Sequence, residues 1–215
     1  MDALICYNLR TAHAKHTTFT EACMPSLAAQ TILTPEEYIA SERKATLKSE
    51  YLNGEILAMS GASNAHNLIT LDIATELNIQ LRQKNCLVYS NDMRVRTSPT
   101  GAYFYPDVAV VCDRPIFEDN VFDTLLNPIL VIEVLSPSTE VYDKGEKFAH
   151  YQEITSLREY ILVSQDRIRV EQYRLIKTQW AQTEFHEQED VMPLASIGCE
   201  LRMQDIYRRL PEVIA

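Results

Sequence analysis

YPDVAVV, residues 105–111, and PILVIEVLSPS, residues 128–138, decide how this chain is read. Each is an apolar run with one carboxylate set into it, Asp107 in the first and Glu133 in the second. Val110, Val111, Val131, Ile132 and Val134 mark both as central, buried strands. Burying a lone carboxylate is costly, so the pattern demands a cation or a dense set of hydrogen-bond donors nearby. Two such strands side by side would aim two carboxylates at one point, the simplest arrangement for holding a hard divalent cation. The competing reading is structural. Pro106 fits a loop-to-strand junction, and acids at strand ends also act as caps or salt-bridge partners.

The surrounding pattern sets these strands in a fold. Thr34-Pro35-Glu36-Glu37 is a helix start with a capping box, and that helix is expected to run to about Lys44. Asn53-Gly54 predicts a hairpin turn within Tyr51 to Met59. Ser63 opens a longer helix in which Ile69, Ile73, Leu77 and Leu81 form one apolar stripe. Short strands follow at Cys86 to Ser90 and Met93 to Thr97, with a turn at Pro99-Thr100-Gly101. Beyond the acidic strands, Asp143 to Gln152 reads as a helix. Glu159 to Ser164, Ile168 to Arg174 and Trp180 to His186 read as strands, and Met203 to Arg209 as a closing helix. This order predicts an α/β (α+β) domain with a mixed central β-sheet flanked by helices. The links on either side of Thr97 are too short for crossovers, so those neighbours are expected to be antiparallel.

The 215 residues suit one domain, expected over residues 31–215, with residues 1–30 as a poorly structured leader and Met24 as an alternative start. A hydrophobic fraction of 46% and a charged fraction of 23% are ordinary for a globular protein. No apolar run reaches the roughly 18 residues of a spanning helix, so no membrane partner is expected. The N-terminal stretch lacks the continuous apolar region of a secretory signal. Cys6, Cys23, Cys86, Cys112 and Cys199 are scattered, without a CxxC pair, which argues against a thiolate zinc site and for a reducing, cytoplasmic setting. A net charge of −10 argues against a general nucleic-acid coat protein. It leaves room for a metal-dependent nuclease, whose site is itself acidic.

After Glu133 the chain reads VLSPSTEVYDKGEKFAHY. Helical spacing puts Asp143, Lys147 and Tyr151 on one face, four residues apart. A helix just beyond the Glu133 strand could point Lys147 back at the carboxylate pair, where an ammonium would orient an attacking water and offset charge in a phosphoryl transition state. The alternative is an Asp143–Lys147 surface pair worth only about 0.3–0.5 kcal/mol.

The ordered set PD…EVLSPST…DKGEKFAHY resembles the PD-(D/E)XK nuclease superfamily, and more closely a large bacterial family of uncharacterised restriction-endonuclease-like proteins. TPEEYIASERKATLKSEYLNGEI, MSGASNAHNLI and LREYILVSQD extend the resemblance, which stops short of residues 1–30. It implies a restriction-endonuclease-like core, with Asp107 and Glu133 as the metal-holding acids. The superfamily's lysine position, two residues after the second acid, is Leu135 here; many relatives move the lysine to the next helix, which implies Lys147 in the catalytic role. Glu55 and His66 resemble accessory positions, and Tyr151 joins them through its shared face with Lys147. The implied activity is phosphodiester hydrolysis by an endonuclease using Mg²⁺ or Mn²⁺ held by Asp107, Glu133 and the Val134 carbonyl. Nucleic acid, DNA first, is the implied substrate, and a homodimer is a candidate assembly. The competing function is a catalytically decayed nucleic-acid-binding or accessory protein on the same fold, which Leu135 keeps open.

Overall fold

In the computed structural model, which describes residues 32–99, 101–210 and 213, the elements follow the sequence pattern from the first capped helix onward. Helix α1 (Pro35–Glu42) is capped reciprocally by Thr34 and Glu37. Strands β1 (Ser49–Leu52) and β2 (Glu55–Ala58) form a hairpin. Its turn residues Asn53 and Gly54 have φ of 51° and 94°, the left-handed pair that this short turn requires. Helix α2 (Asn64–Leu81) starts at its cap Ser63. There follow β3 (Cys86–Ser90), β4 (Arg94–Arg96), β5 (Tyr103–Phe104), β6 (Val108–Cys112), β7 (Thr124–Leu125) and β8 (Leu130–Leu135). A helical crossover comes next: α3 (Glu140–Tyr142), a π-helical turn over Asp143–Lys147, and α4 (Phe148–Tyr151). The chain continues through β9 (Glu159–Ser164), β10 (Val170–Ile176), β11 (Gln179–Phe185), β12 (Val191–Leu194), β13 (Cys199–Arg202) and α5 (Met203–Ile206).

The central sheet has six strands in the order β11-β10-β9-β8-β6-β3. All of its pairs are antiparallel except β8–β9, which is parallel and makes the sheet mixed. Parallel neighbours cannot be joined by a hairpin, and the α3–α4 crossover is the connection this pair demands. A second sheet, β2-β1-β5-β4-β7, packs around Tyr38, Tyr51 and Tyr103. Strands β12 and β13 form a separate ribbon.

Side-chain alternation divides the central sheet into two buried faces. On one, Val108, Val110, Leu130, Ile132 and Val134 meet Ile69, Ile73 and Leu77 of α2. On the other, Ala109, Val111, Val131 and Leu135 meet Phe148, Tyr151, Ile154 and Leu157 from the crossover and the loop after it. Glu133 shares parity with Val131 and Leu135 and so faces the crossover. The C-terminal end is tied to α2 by Arg208 and Arg209, both bonded to the buried carboxylate of Asp72.

Three departures from the sequence reading stand out. The expected helix from Asp143 contains a π turn and begins earlier, at Glu140. Strands β7, β12 and β13 carry too weak a pattern to be read; β12 even contains Pro193, tolerated because its ribbon has only two strands. Cys86 and Cys112, whose scattered spacing pointed to a reducing setting, stand opposite each other in the β3–β6 register and are disulfide-bonded. Cys199 is free, whereas Cys6, Cys23 and the expected leader lie outside the described residues.

Leu77 is fully buried on α2, while Leu71 on the same helix is 54% exposed. Leu77→Ala is expected to lower unfolding free energy by about 2–5 kcal/mol, and Leu71→Ala to change it by less than about 0.5 kcal/mol. Urea midpoints of the two variants check this packing of α2.

Candidate active site

The site opens where the β6–β8 ladder ends. Pairing of β6 with β8 stops at Val108–Ile132, and Pro106 has no N–H with which to donate to the Val134 carbonyl and extend it. Val134, two residues on, would be the next residue of β8 to bond in that direction. Its N–H is taken instead by the Asp107 side chain, with Oδ2 2.7 Å away. The N–H and C=O of one residue point to the same side of an antiparallel pair, so the Val134 carbonyl also faces this gap. Asp107 is held from two further directions. Its main-chain oxygen accepts from Asn91 N at 3.1 Å, and His66 Nε2 lies 3.2 Å from Oδ2. His66 reaches it from the first turn of α2, where its N–H is bonded to the Ser63 cap.

Glu133 sits on the neighbouring strand, at the parity that faces the crossover. Tyr151 donates to Glu133 Oε1 at 3.0 Å. Lys147 Nζ lies 3.0 Å from the same oxygen, 2.9 Å from Glu50 Oε1 and 3.6 Å from Asp143 Oδ1. All three members of the central trio are shielded from water: Glu133 is 4% exposed, Lys147 5% and Glu50 6%. Asp143 and Lys147, four residues apart on one face, are both buried within the π turn, a local widening of the helix that occurs frequently at functional sites. Lys144, by contrast, leaves the cluster and pairs with Glu140 and Glu171.

The electrostatics follow from one ammonium shared among several acids. Burial pushes the Glu133 carboxyl well above the usual carboxylate range; Lys147 opposes the shift, while Asp143, Asp107 and Glu50 add to it. Burial works against the charge on Lys147 as well, but Glu133, Glu50 and Asp143 together outweigh it and hold its pKa above the ordinary lysine value. The lysine therefore stays charged.

The sequence-proposed residues fall in different places. Asp107, Glu133, Lys147, His66 and Tyr151 are joined by direct contacts, and the Val134 backbone closes the gap between the two acidic strands. Glu55 is not in contact with them. It lies on the same face of the β1–β2 hairpin as Glu50, nearer the turn, and is exposed at the cleft rim. The acid that reaches Lys147 is Glu50, which the sequence reading passed over. Its signal was faint: one acid in the four-residue strand SEYL, in phase with Leu52. Leu135, at the superfamily's lysine position, is buried in the apolar core.

Around these groups lies a cleft of about 1160 Å³ lined by Glu50, His66, Asp107, Glu133, Tyr142 and Lys147, among others. Among the described residues no three His, Cys, Asp or Glu side chains converge to cage an ion by themselves. The recorded contacts of Asp107 and Glu133 fall on one oxygen of each, Oδ2 and Oε1. Two carboxylates and one carbonyl suit Mg²⁺, which keeps several waters, better than an ion requiring a full protein cage.

An acid on each of two adjacent strands and a lysine on the crossover belong to a restriction-endonuclease-like fold. The structure described as “a putative nuclease belonging to DUF820” from Anabaena variabilis ATCC 29413 matches with a TM-score of 0.68 at 21% identity, covering 82% of this chain and 98% of that one. The profile of the Uma2 family, described as “Putative restriction endonuclease”, matches residues 35–204, and the chain belongs to that family. Two uncharacterised proteins of Synechocystis sp. (strain ATCC 27184 / PCC 6803 / Kazusa) are close relatives. One is 40% identical over 75% of this chain and 92% of its own length. The other is 36% identical over 83% and 93%. No helix among the described residues is long and apolar enough to cross a membrane.

Removing one partner of a buried ion pair commonly costs about 3–5 kcal/mol, the loss expected for Lys147→Met near pH 8. In that variant the Glu133 carboxyl loses its neighbouring cation and is raised further. A raised carboxyl favours the folded state below its unfolded pKa of about 4.3, an advantage lost as pH climbs through the folded value. The deficit of Lys147→Met relative to wild type should therefore be smaller at pH 5 than at pH 8. Urea unfolding at both pH values tests this; an equal deficit would contradict it.

Proposed function

We propose that this protein is a Mg²⁺-dependent endonuclease that hydrolyses phosphodiester bonds, with DNA as its substrate. One observation carries the reading: Asp107, Glu133 and Lys147 meet in one cleft although they come from two strands and a helical crossover. The family description supports the substrate class. Leu135 at the usual lysine position keeps a decayed site open as the alternative; the Lys147 ammonium 3.0 Å from Glu133 supports the enzyme, as a cation reaching the acids by another route.

Asp107, Glu133 and the Val134 carbonyl would hold Mg²⁺, which supplies a water of lowered pKa and charge neutralisation at the phosphate. The protein's own groups do the positioning. Tyr151 fixes the rotamer of Glu133, and His66 and the Val134 N–H fix that of Asp107. Lys147 stands beside Glu133, where its ammonium can orient the attacking water and meet charge developing on the phosphoryl oxygens. Burial of this group strengthens each of those interactions relative to water.

Plasmid, linear duplex and RNA incubated with the purified protein should show cleavage of DNA that requires Mg²⁺ or Mn²⁺ and is abolished by a chelator. Asp107→Asn and Glu133→Gln should each lower the rate by about 10²–10³ or more, the scale for losing one preorganised electrostatic element. Cleavage of RNA alone would replace the substrate. Undiminished cleavage by both variants would remove the active-site assignment.

A further inference from the structure

Tyr142 holds a buried hydroxyl that no group among the described residues satisfies. Its Oη has no hydrogen-bond partner there, although the residue borders the cleft and its ring packs against the apolar core beneath the crossover. The surrounding tyrosines behave differently. Tyr151 donates to Glu133, Tyr160 to the Asp143 carbonyl, Tyr105 to Glu42, Tyr103 to Glu118 and Tyr38 to the Ser49 carbonyl. A buried, unpaired donor is destabilising; Thr70 Oγ1 is unpaired too but does not border the cleft, whereas Tyr142 does, where an acceptor can arrive with a ligand.

The position identifies the acceptor's chemistry. Tyr142 immediately precedes the π turn and lies five residues before Lys147. An α-helix would put residues five apart on different faces, whereas a turn with i→i+5 bonding brings them toward one side. Both residues line the cleft. Burial, followed by the field of Glu50, keeps the Tyr142 hydroxyl protonated and thus a donor, with Lys147 opposing only in part. A neutral donor and an ammonium bordering one cleft fit a group that brings its own negative acceptor oxygens.

We infer that the Tyr142 hydroxyl is a further substrate-contacting group, donating a hydrogen bond to a non-bridging oxygen of the phosphate that Lys147 faces. The inference rests on the proposed nuclease reading and adds to it a residue outside the set of acids and lysine read from the sequence motif. The bond strengthens as charge gathers on the phosphoryl oxygens, so its contribution falls mainly on kcat.

The test is Tyr142→Phe, which keeps the ring and removes only the hydroxyl. Cleavage of a duplex oligonucleotide in Mg²⁺ should show kcat reduced roughly ten-fold or more, the scale of one charge-assisted hydrogen bond, with a smaller change in KM. The melting temperature should stay equal to wild type or rise, because an unsatisfied group has been removed. Equilibrium binding of the same duplex in Ca²⁺, with cleavage suppressed, should weaken several-fold. Unchanged kcat and binding would mean that the hydroxyl serves only a bound water, and would overturn the inference. A kcat loss that tracks a lowered melting temperature would overturn it too. If wild type cuts no nucleic acid, the nuclease reading fails, and the binding arm alone decides: weaker binding by Tyr142→Phe upholds the contact and equal binding overturns it. If Asp107→Asn abolishes cleavage while Tyr142→Phe matches wild type, the reading stands and this inference falls.

Discussion

One buried ammonium serves several buried acids, and much of the site's architecture follows from that imbalance. Lys147 contacts Glu133, Glu50 and Asp143, with Asp107 close enough to act on Glu133 electrostatically. Satisfying only part of an acidic cluster is unfavourable in the apoprotein. Stability alone would favour fewer charges, so the arrangement makes physical sense if additional positive charge arrives with a ligand. The cost is borne where three structural layers meet, with α2 on one side, the crossover on the other and the β1–β2 hairpin alongside.

Topology converts the imbalance into a site. Strands β8 and β9 are parallel, so the chain must leave β8 and cross over before it can pair again. That crossover begins five residues after Leu135 and covers the face to which Glu133 points. The lysine therefore does not have to follow the acid along the strand. Its usual position is free to become Leu135, an ordinary core residue, while Lys147 returns to the same carboxylate through space. Where the β6–β8 ladder ends, the Asp107 side chain takes the Val134 N–H, and Pro106, with no N–H, donates nothing to the Val134 carbonyl.

The parts legible in the sequence are those with strong local causes. The capping box at Thr34, the Asn53-Gly54 turn, the Ser63 cap and the two acidic apolar runs each act within a few residues. Lys147 was accessible because a helical face carries its neighbours with it, although the π turn alters that face. Glu50 was not, because its role arises from a hairpin docking against a crossover nearly 100 residues later in the chain. The Cys86–Cys112 bond was hidden for the same reason: only the β3–β6 register brings the two residues together. Glu55 stands out in sequence beside a turn glycine, yet that position leaves it at the exposed end of its strand.

The central claim is that this acidic cluster is a cation site, and ligand-linked stability addresses it without requiring a substrate. Melting of wild type should be followed at neutral pH as Mg²⁺ is raised, beside the Asp107→Asn, Glu133→Gln double variant. Wild type should gain stability progressively, by about 2.7 kcal/mol at a free Mg²⁺ concentration 100 times its dissociation constant. The double variant should not respond, because both carboxylates have lost the charge that holds the ion. Equal responses in the two proteins would show that Mg²⁺ acts elsewhere and would contradict the account.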